Sequence, residues 1–376
     1  MTLFIDKKTE MFNLSYIETY LYIMFAMAMI VANKYYSSHD NSVMKLQRDN
    51  ILLPLAICFV LAFWLGFRPF AAEFGDSYQY AHGFDDLEPY NVEFSWKGEW
   101  FWAWLAVLCK TLGMYHSGYF TVVYFVYVLS ALFAVKILMP NKTMLGMVFV
   151  WTSLMYFSFG VNGLRNGMAC HMLLLGFALV LKGKLWFLPG VGFFLLAFGT
   201  HRSTMLPIAA FILGRYIIRD AKYAVYFWLL SIPVSLVAGG AVTSFFSGLG
   251  FDDRMSGYSN VNNDMSAFSH TGFRWDFLFY SMWPVIMTWI HCVKRKCDDN
   301  WFRVLAVTYC LANAFWVMVI RASYSNRFAY LSWFLYPIII SYPLVNIDTW
   351  QDQDRKTGYI LFAYAGFTFL MDTVYW

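Results

Sequence analysis

Long apolar runs recur through this chain, and each is about as long as a membrane requires of a helix. The run that begins at Ile51 reads ILLPLAICFVLAFWLGF, and the run that begins at Trp228 reads WLLSIPVSLVAGGAVTSFF. A helix needs about 20 mainly apolar residues to cross a bilayer. Backbone groups in lipid must pair within the protein, and these runs lack the alternation of barrel strands. They therefore predict membrane-spanning helices.

Composition indicates the same class. Apolar residues make up 60% of the chain and charged residues only 13%, and one water-soluble core could not bury so much apolar surface. We predict an all-α, polytopic integral membrane protein, with a single domain over 1–376. The approximate spans, about twelve in number, are 14–33, 51–67, 119–138, 143–161, 166–181, 185–200, 203–218, 223–246, 275–292, 301–320, 328–346 and 358–375.

The segment 100–113 is apolar but short for a span, and its three tryptophans suit an interfacial or re-entrant helix. If this segment does not span the membrane, most lysines and arginines in the connections between spans fall on one side of the membrane. The positive-inside rule identifies that side as the cytoplasm. The other side then receives two long connections, 68–118 and 247–274. The first of these is strongly acidic.

Arginine outnumbers lysine on the predicted outer side. The lysines there are Lys7, Lys8, Lys97 and Lys110, and the arginines are Arg68, Arg165, Arg202, Arg254, Arg274, Arg321 and Arg327. A guanidinium is a weakly hydrated fork suited to bidentate recognition of phosphate or carboxylate, whereas an ammonium is a hydrated point charge. The bias predicts a phosphorylated or acidic substrate on the outer face. Snorkelling, or pairing with the acidic outer loop, is the alternative for any single arginine.

Two outward turns combine arginine with other polar groups. In FGVNGLRNGMA, Asn166 adjoins Arg165 at a helix start, where backbone N–H groups also favour an anion. In FGTHRSTM, His201 precedes Arg202 and is a candidate base or hydrogen-bond donor, with a purely structural role as the alternative for a lone histidine. His171 lies about 120° round the helix from Arg165 and is predicted to be a core histidine.

The outer loops supply the remaining candidates. Asp76, Tyr78 and Tyr80 follow the second span, and the Asp76 carboxylate is a candidate catalytic base. Arg254 and Arg274 bracket a loop rich in Ser, Asn and Tyr, and Arg321 and Arg327 flank the turn ASYSN. Phosphate-binding glycine loops and zinc motifs are missing from the sequence, so we predict no cofactor and no metal. The lysines and arginines are scattered between spans rather than gathered into a basic face or tail, so we predict no nucleic-acid partner.

These stretches, taken in order, resemble the EpsG-like branch of the bacterial Wzy polysaccharide polymerases. The aromatic element after the second span reads GDSYQYAHGF, with Ser77 interrupting the family's Asp-Tyr pair. The Arg-Gln element that opens a mid-chain span is matched by LRNGMA, with Asn166 in place of Gln. The Phe-His-x-Ser element is matched by FGTHRST, with Arg202 between His201 and Ser203, and the late Arg-Tyr element by NRFAYLSWFLYPIIISYP.

The resemblance implies a GT-C-like membrane glycosyltransferase in the bacterial inner membrane, facing the periplasm or exterior. It would transfer a growing glycan from undecaprenyl pyrophosphate to a repeat unit on the same carrier. Arg165, Arg327 and Arg202 would bind pyrophosphate without a metal, and Asp76 or His201 would be the base. Membrane lipids and a chain-length regulator are the other expected partners.

Two other functions stay open. A transporter or flippase of lipid-linked oligosaccharides would also use arginines in a cavity, but it predicts charge along a path to both sides. A membrane acyltransferase that modifies polysaccharide usually needs a histidine-centred site reached from the cytoplasm. On the predicted topology, the charges at membrane depth cluster on the outer side.

Overall fold

The computed structural model describes residues 15–37, 50–71, 74–91, 95–248, 272–321 and 326–375, and its regular elements within those ranges are all helical. The α-helices are α1 (Tyr16–Tyr36), α2 (Leu52–Gly66), α3 (Asp76–Asp85), α4 (Trp100–Thr111), α5 (His116–Leu138), α6 (Thr143–Trp151), α7 (Tyr156–Val161), α8 (Leu164–Lys182), α9 (Phe187–Thr200), α10 (Met205–Ile212), α11 (Lys222–Gly248), α12 (Trp275–Thr288), α13 (Asn300–Met318), α14 (Asn326–Trp333), α15 (Tyr336–Asn346) and α16 (Gln353–Leu370). One π-helical turn each extends α10, α12 and α16, over Leu213–Ile217, Trp289–Lys294 and Met371–Tyr375.

Each of the twelve predicted spans coincides with helix, and the prediction of an all-α polytopic membrane protein is confirmed. The count of twelve is not confirmed. Among the described residues, six segments are both long and apolar enough to cross a bilayer: Tyr16–Tyr36, His116–Leu138, Leu164–Lys182, Lys222–Gly239, Asn300–Met318 and Arg327–Asn346. Shorter apolar helices lie at Leu52–Gly66 and Lys184–Thr200. The segment predicted to be interfacial or re-entrant forms α4, whose 12 residues are too few to span.

The centre of the bundle is formed by α8 and by the pair α14 and α15. In each of these two spans 94% of the apolar window is buried, against 28% in α1 and 33% in α11. The inner helix α8 packs against α5 and α9, and α11 packs against α13. Helices α1 and α11 therefore lie at the periphery, and their exposed apolar faces suit contact with lipid.

Two of the predicted spans are interrupted near the centre. The predicted span 143–161 is divided into α6 and α7 by a turn at 152–155, and a second turn at 334–335 separates α14 from α15. Carbonyl groups released by a break in a membrane helix need donors from inside the protein. At the first turn, Tyr20 Oη donates to the Trp151 carbonyl at 2.6 Å, and Tyr127 Oη donates to the Tyr156 carbonyl at 2.8 Å.

Successive long helices run in opposite directions, so the bundle has two end faces. The α3–α4 segment, the start of α8 and the end of α9 share one end, which we call the site face. The 19 residues of α8 rise about 28 Å, so Lys182 lies at the opposite face. The turn after α10 also lies there, since α10 leads away from the site face.

Candidate functional site

The start of the short helix α3 packs closely against the polar end of α7. Gly75 has φ +63°, and a Cβ there would collide with the Asn162 side chain. Asn162 Oδ1 instead accepts a hydrogen bond from the Asp76 N–H at 2.9 Å. Residues four apart share one face of a helix, so this contact directs both Asp76 and Tyr80 toward the start of α8.

Arg165 lies in the first turn of α8 and binds two groups of the site face at once. Its Nε donates to Tyr80 Oη at 2.9 Å, and its Nη1 is ion-paired with Glu99 Oε2, immediately before α4. The guanidinium also lies over the Tyr80 ring, 5.0 Å from its centroid. The side chains of Arg165 and Glu99 are 16% and 24% exposed, so the pair is partly withdrawn from water.

Arg327 forms a second ion pair beside the first. Its Nη2 lies 3.1 Å from Asp76 Oδ2, and its backbone carbonyl accepts a hydrogen bond from Asn166 Nδ2 at 3.0 Å. The start of α14 is thereby tied to α8, one residue beyond Arg165. We call the group Arg165, Glu99, Tyr80, Arg327 and Asp76 the paired-arginine site.

Aromatic rings form a wall along one side of this site. Trp102 packs edge-on against Tyr80 and also against Tyr119, at 5.5 Å between ring centroids in each case. Trp96 packs edge-on against Trp100 at 4.9 Å and is 70% exposed. An exposed aromatic face beside polar groups is a suitable platform for a sugar ring, whose C–H face is apolar.

The layer beneath the site is buried. The His171 ring is stacked on Tyr127 at 4.1 Å, and His171 Nδ1 lies 3.0 Å from the Tyr127 carbonyl. His171 is 2% exposed, which confirms its prediction as a core histidine. Gly167 lets α7 approach α8 closely, because a Cβ there would collide with the carbonyl of Phe159.

The structure thus brings together five of the residues singled out from the sequence: Asp76, Tyr80, Arg165, Asn166 and Arg327. Glu99 was not among the candidate site residues. It is one of several acids in the connection 68–118, and its only distinguishing signal is its position directly before the tryptophan-rich α4.

Four other candidates lie elsewhere on the site face. Tyr78 is exposed and packs edge-on against His82 on α3. The turn of His201 and Arg202 ends α9 and packs against α8, and Arg202 is exposed. Arg321 is also exposed, at the end of α13.

Two further arginines predicted to bind substrate also have local partners. Arg274 makes a bidentate pair with Asp276, with Nη2 2.6 Å from Oδ2. Arg68 is 1% exposed, and its guanidinium donates to the carbonyls of Leu65 and Val161 at 2.7 and 3.2 Å. Arg68 is therefore used to join the end of α2 to the end of α7. Arg254 lies outside the described residues.

A comparison with protein-family models matches the EpsG family over residues 51–375. The chain belongs to the EpsG family. Searches of curated proteins and of solved structures gave no significant match. EpsG proteins are Wzy-like polysaccharide polymerases, so the family accounts for the multi-pass membrane fold and for an enzyme of the polymerase type. The resemblance identified from the sequence motifs is confirmed.

The paired-arginine site has chemical features suited to binding an anion. Two guanidiniums on separate helices, α8 and α14, converge with their charges already matched by carboxylates. A guanidinium that pairs with a carboxylate is also suited to bind a phosphate group.

Proposed function

We propose that this EpsG-family protein polymerises oligosaccharide repeat units carried on undecaprenyl pyrophosphate, at the periplasmic or exterior face of the bacterial inner membrane. The observation that carries the proposal is the convergence of Arg165 and Arg327, each paired with a carboxylate, at one end of the bundle. A pyrophosphate has two phosphate groups, and each could bind one of the two guanidiniums.

In the proposed reaction, an acceptor hydroxyl attacks the anomeric carbon of the sugar attached to the donor pyrophosphate. The new glycosidic C–O bond forms as the bond from that carbon to the pyrophosphate oxygen breaks. The leaving undecaprenyl pyrophosphate gains negative charge, which Arg165 and Arg327 stabilise. This role of the arginines requires no metal ion.

The proton of the acceptor hydroxyl passes to a base on the protein. Asp76 is the first candidate. Pyrophosphate binding to Arg327 would break the ion pair between Arg327 and Asp76, and the Asp76 carboxylate would then be available beside the donor. His201, at the turn that packs against α8, is the second. We propose that the aromatic wall, together with Tyr78 and Tyr80, holds sugar rings. The exposed Arg202 and Arg321 would guide the anionic carrier.

The test is product analysis with purified protein in detergent. A synthetic repeat unit on a lipid pyrophosphate is incubated with the protein and a chelator, and the products are resolved by size. The proposal predicts a ladder of lengthened glycans that is lost in Arg165→Ala and in Arg327→Ala. Arg355→Ala, an exposed arginine at the opposite face, serves as the matched control and should retain the ladder.

The transporter alternative predicts a different result in the same system. If no ladder forms, but the lipid-linked unit moves between the leaflets of reconstituted vesicles, the protein is a flippase and the proposed reaction is wrong. A ladder that forms only without chelator would contradict metal independence while keeping the polymerase.

A further inference from the structure

A second polar cleft lies at the opposite face of the bundle, far from the paired-arginine site. Its volume is about 460 Å³, and it is enclosed by the turns that follow the π-helical ends of α10 and α12 and by the start of α13. Four cations and two carboxylates line it: Arg219, Lys222, Lys296, Arg303, Asp220 and Asp298. We call it the basic cleft.

Arg303 builds one wall of the basic cleft. Its Nη1 donates to the carbonyls of Gly214 and Ile218 at 3.0 and 2.7 Å, and its Nη2 donates to Asn300 Oδ1 at 2.7 Å. Carbonyls at a helix end have no partner within the helix, so this guanidinium closes the end of the π-helical turn. Arg303 is thereby fixed in place as part of the wall.

The other charges of the cleft are only partly matched. Lys222 Nζ lies 3.0 Å from Asp220 Oδ2, and the backbone N–H and ammonium of Lys222 hold the pKa of Asp220 below its usual range. Arg219 lies close enough to Arg303 for their positive charges to repel. Within the described part of the chain, neither Arg219 nor Lys296 forms a salt bridge.

We infer that the basic cleft binds a phosphate-bearing anion between Arg219 and Lys296, supplied either by the headgroup of an anionic lipid or by a free phosphate compound. A bound anion would offset the repulsion between Arg219 and Arg303. The cleft lies where helices end, which is the level of lipid headgroups, and basic pockets between membrane helices are suited to anionic headgroups. The inference is independent of the reaction proposed for the opposite face.

Cys297 provides a local readout, because its half-buried thiol lines the cleft. In a Cys292→Ala background, full-length protein in neutral-lipid nanodiscs is alkylated with N-ethylmaleimide, an uncharged reagent. We expect phosphatidylglycerol in the nanodisc, or added inorganic pyrophosphate, to slow alkylation of Cys297 at least threefold. Added phosphatidylcholine should have no effect.

Two variants identify the residues responsible. Arg219→Gln with Lys296→Gln should abolish the protection, whereas Arg355→Gln, also on this face but outside the cleft, should retain it. Protection by phosphatidylglycerol alone identifies a lipid headgroup, and protection by pyrophosphate in neutral lipid identifies a free phosphate compound. Protection by neither, or equal protection in the double variant, overturns the inference.

Discussion

At the scale of single residues, Arg165 uses two different nitrogens for two partners, Tyr80 and Glu99. A lysine keeps the charge but has no fork, so it cannot hold both groups in this arrangement. We predict that Arg165→Lys lowers polymer yield at least tenfold, which corresponds to about 1.4 kcal/mol, and leaves the amount of protein in the membrane unchanged. Polymer is measured by gel and protein by immunoblot.

Arg355→Lys is the control for this prediction. Arg355 is exposed at the opposite face, where its guanidinium contacts the Tyr36 ring, and its replacement should leave polymer yield within twofold of the unaltered protein. A fully active Arg165→Lys variant would contradict the bidentate role of Arg165.

Part of the site could be predicted from single residues, because arginine and asparagine are unusual in apolar runs. Arg165, Arg327 and Asn166 stand out for this reason. Arg68 stands out equally, yet it is bound by backbone carbonyls, and sequence carries no signal that separates the two uses of an arginine. Glu99 could not be selected among the loop acids, since its role depends on where α4 packs.

At the scale of elements, the close approach of α7 and α8 positions Arg165 beneath α3. We predict that Gly167→Ala destabilises the protein by about 1–3 kcal/mol, because the added methyl would meet the Phe159 carbonyl, which is backbone and cannot move alone. The measurement is the apparent melting temperature in detergent, which should fall.

Gly192→Ala is the matched control, since Gly192 also lies within a helix and a Cβ there would meet no atom within 4 Å. Replacing glycine by alanine in a helix favours the helix by roughly 0.5–1 kcal/mol, so its melting temperature should stay the same or rise. Equal losses in both variants would show that the α7–α8 contact has no special role.

The helices themselves were largely predictable, because a helix that crosses a bilayer must be mainly apolar and long enough to match its thickness. The interruptions were not. The break at 152–155 is accompanied by hydrogen bonds from the hydroxyls of Tyr20 and Tyr127, which lie on other helices, to the carbonyls of Trp151 and Tyr156 on either side of it. Such long-range donors leave no local pattern in the sequence.

At the scale of the whole molecule, the proposed orientation puts the paired-arginine site outside and the basic cleft inside. Tyr90 is 92% exposed on the site face, and Leu185 is 85% exposed on the opposite face. We predict that, in a cysteine-free background, an impermeant thiol reagent labels Tyr90→Cys in intact spheroplasts. Leu185→Cys should be labelled only after the membrane is opened. The reverse pattern would invert the orientation.

The most direct test of the central claim is the glycan ladder made by a charge-swapped protein, Arg165→Glu with Glu99→Arg. The swap keeps an ion pair between the start of α8 and the residue before α4, so we expect the melting temperature to exceed that of Arg165→Glu alone. It removes the guanidinium from the proposed pyrophosphate position, so we predict no ladder. A ladder equal to that of the unaltered protein would show that the pair only holds the fold together.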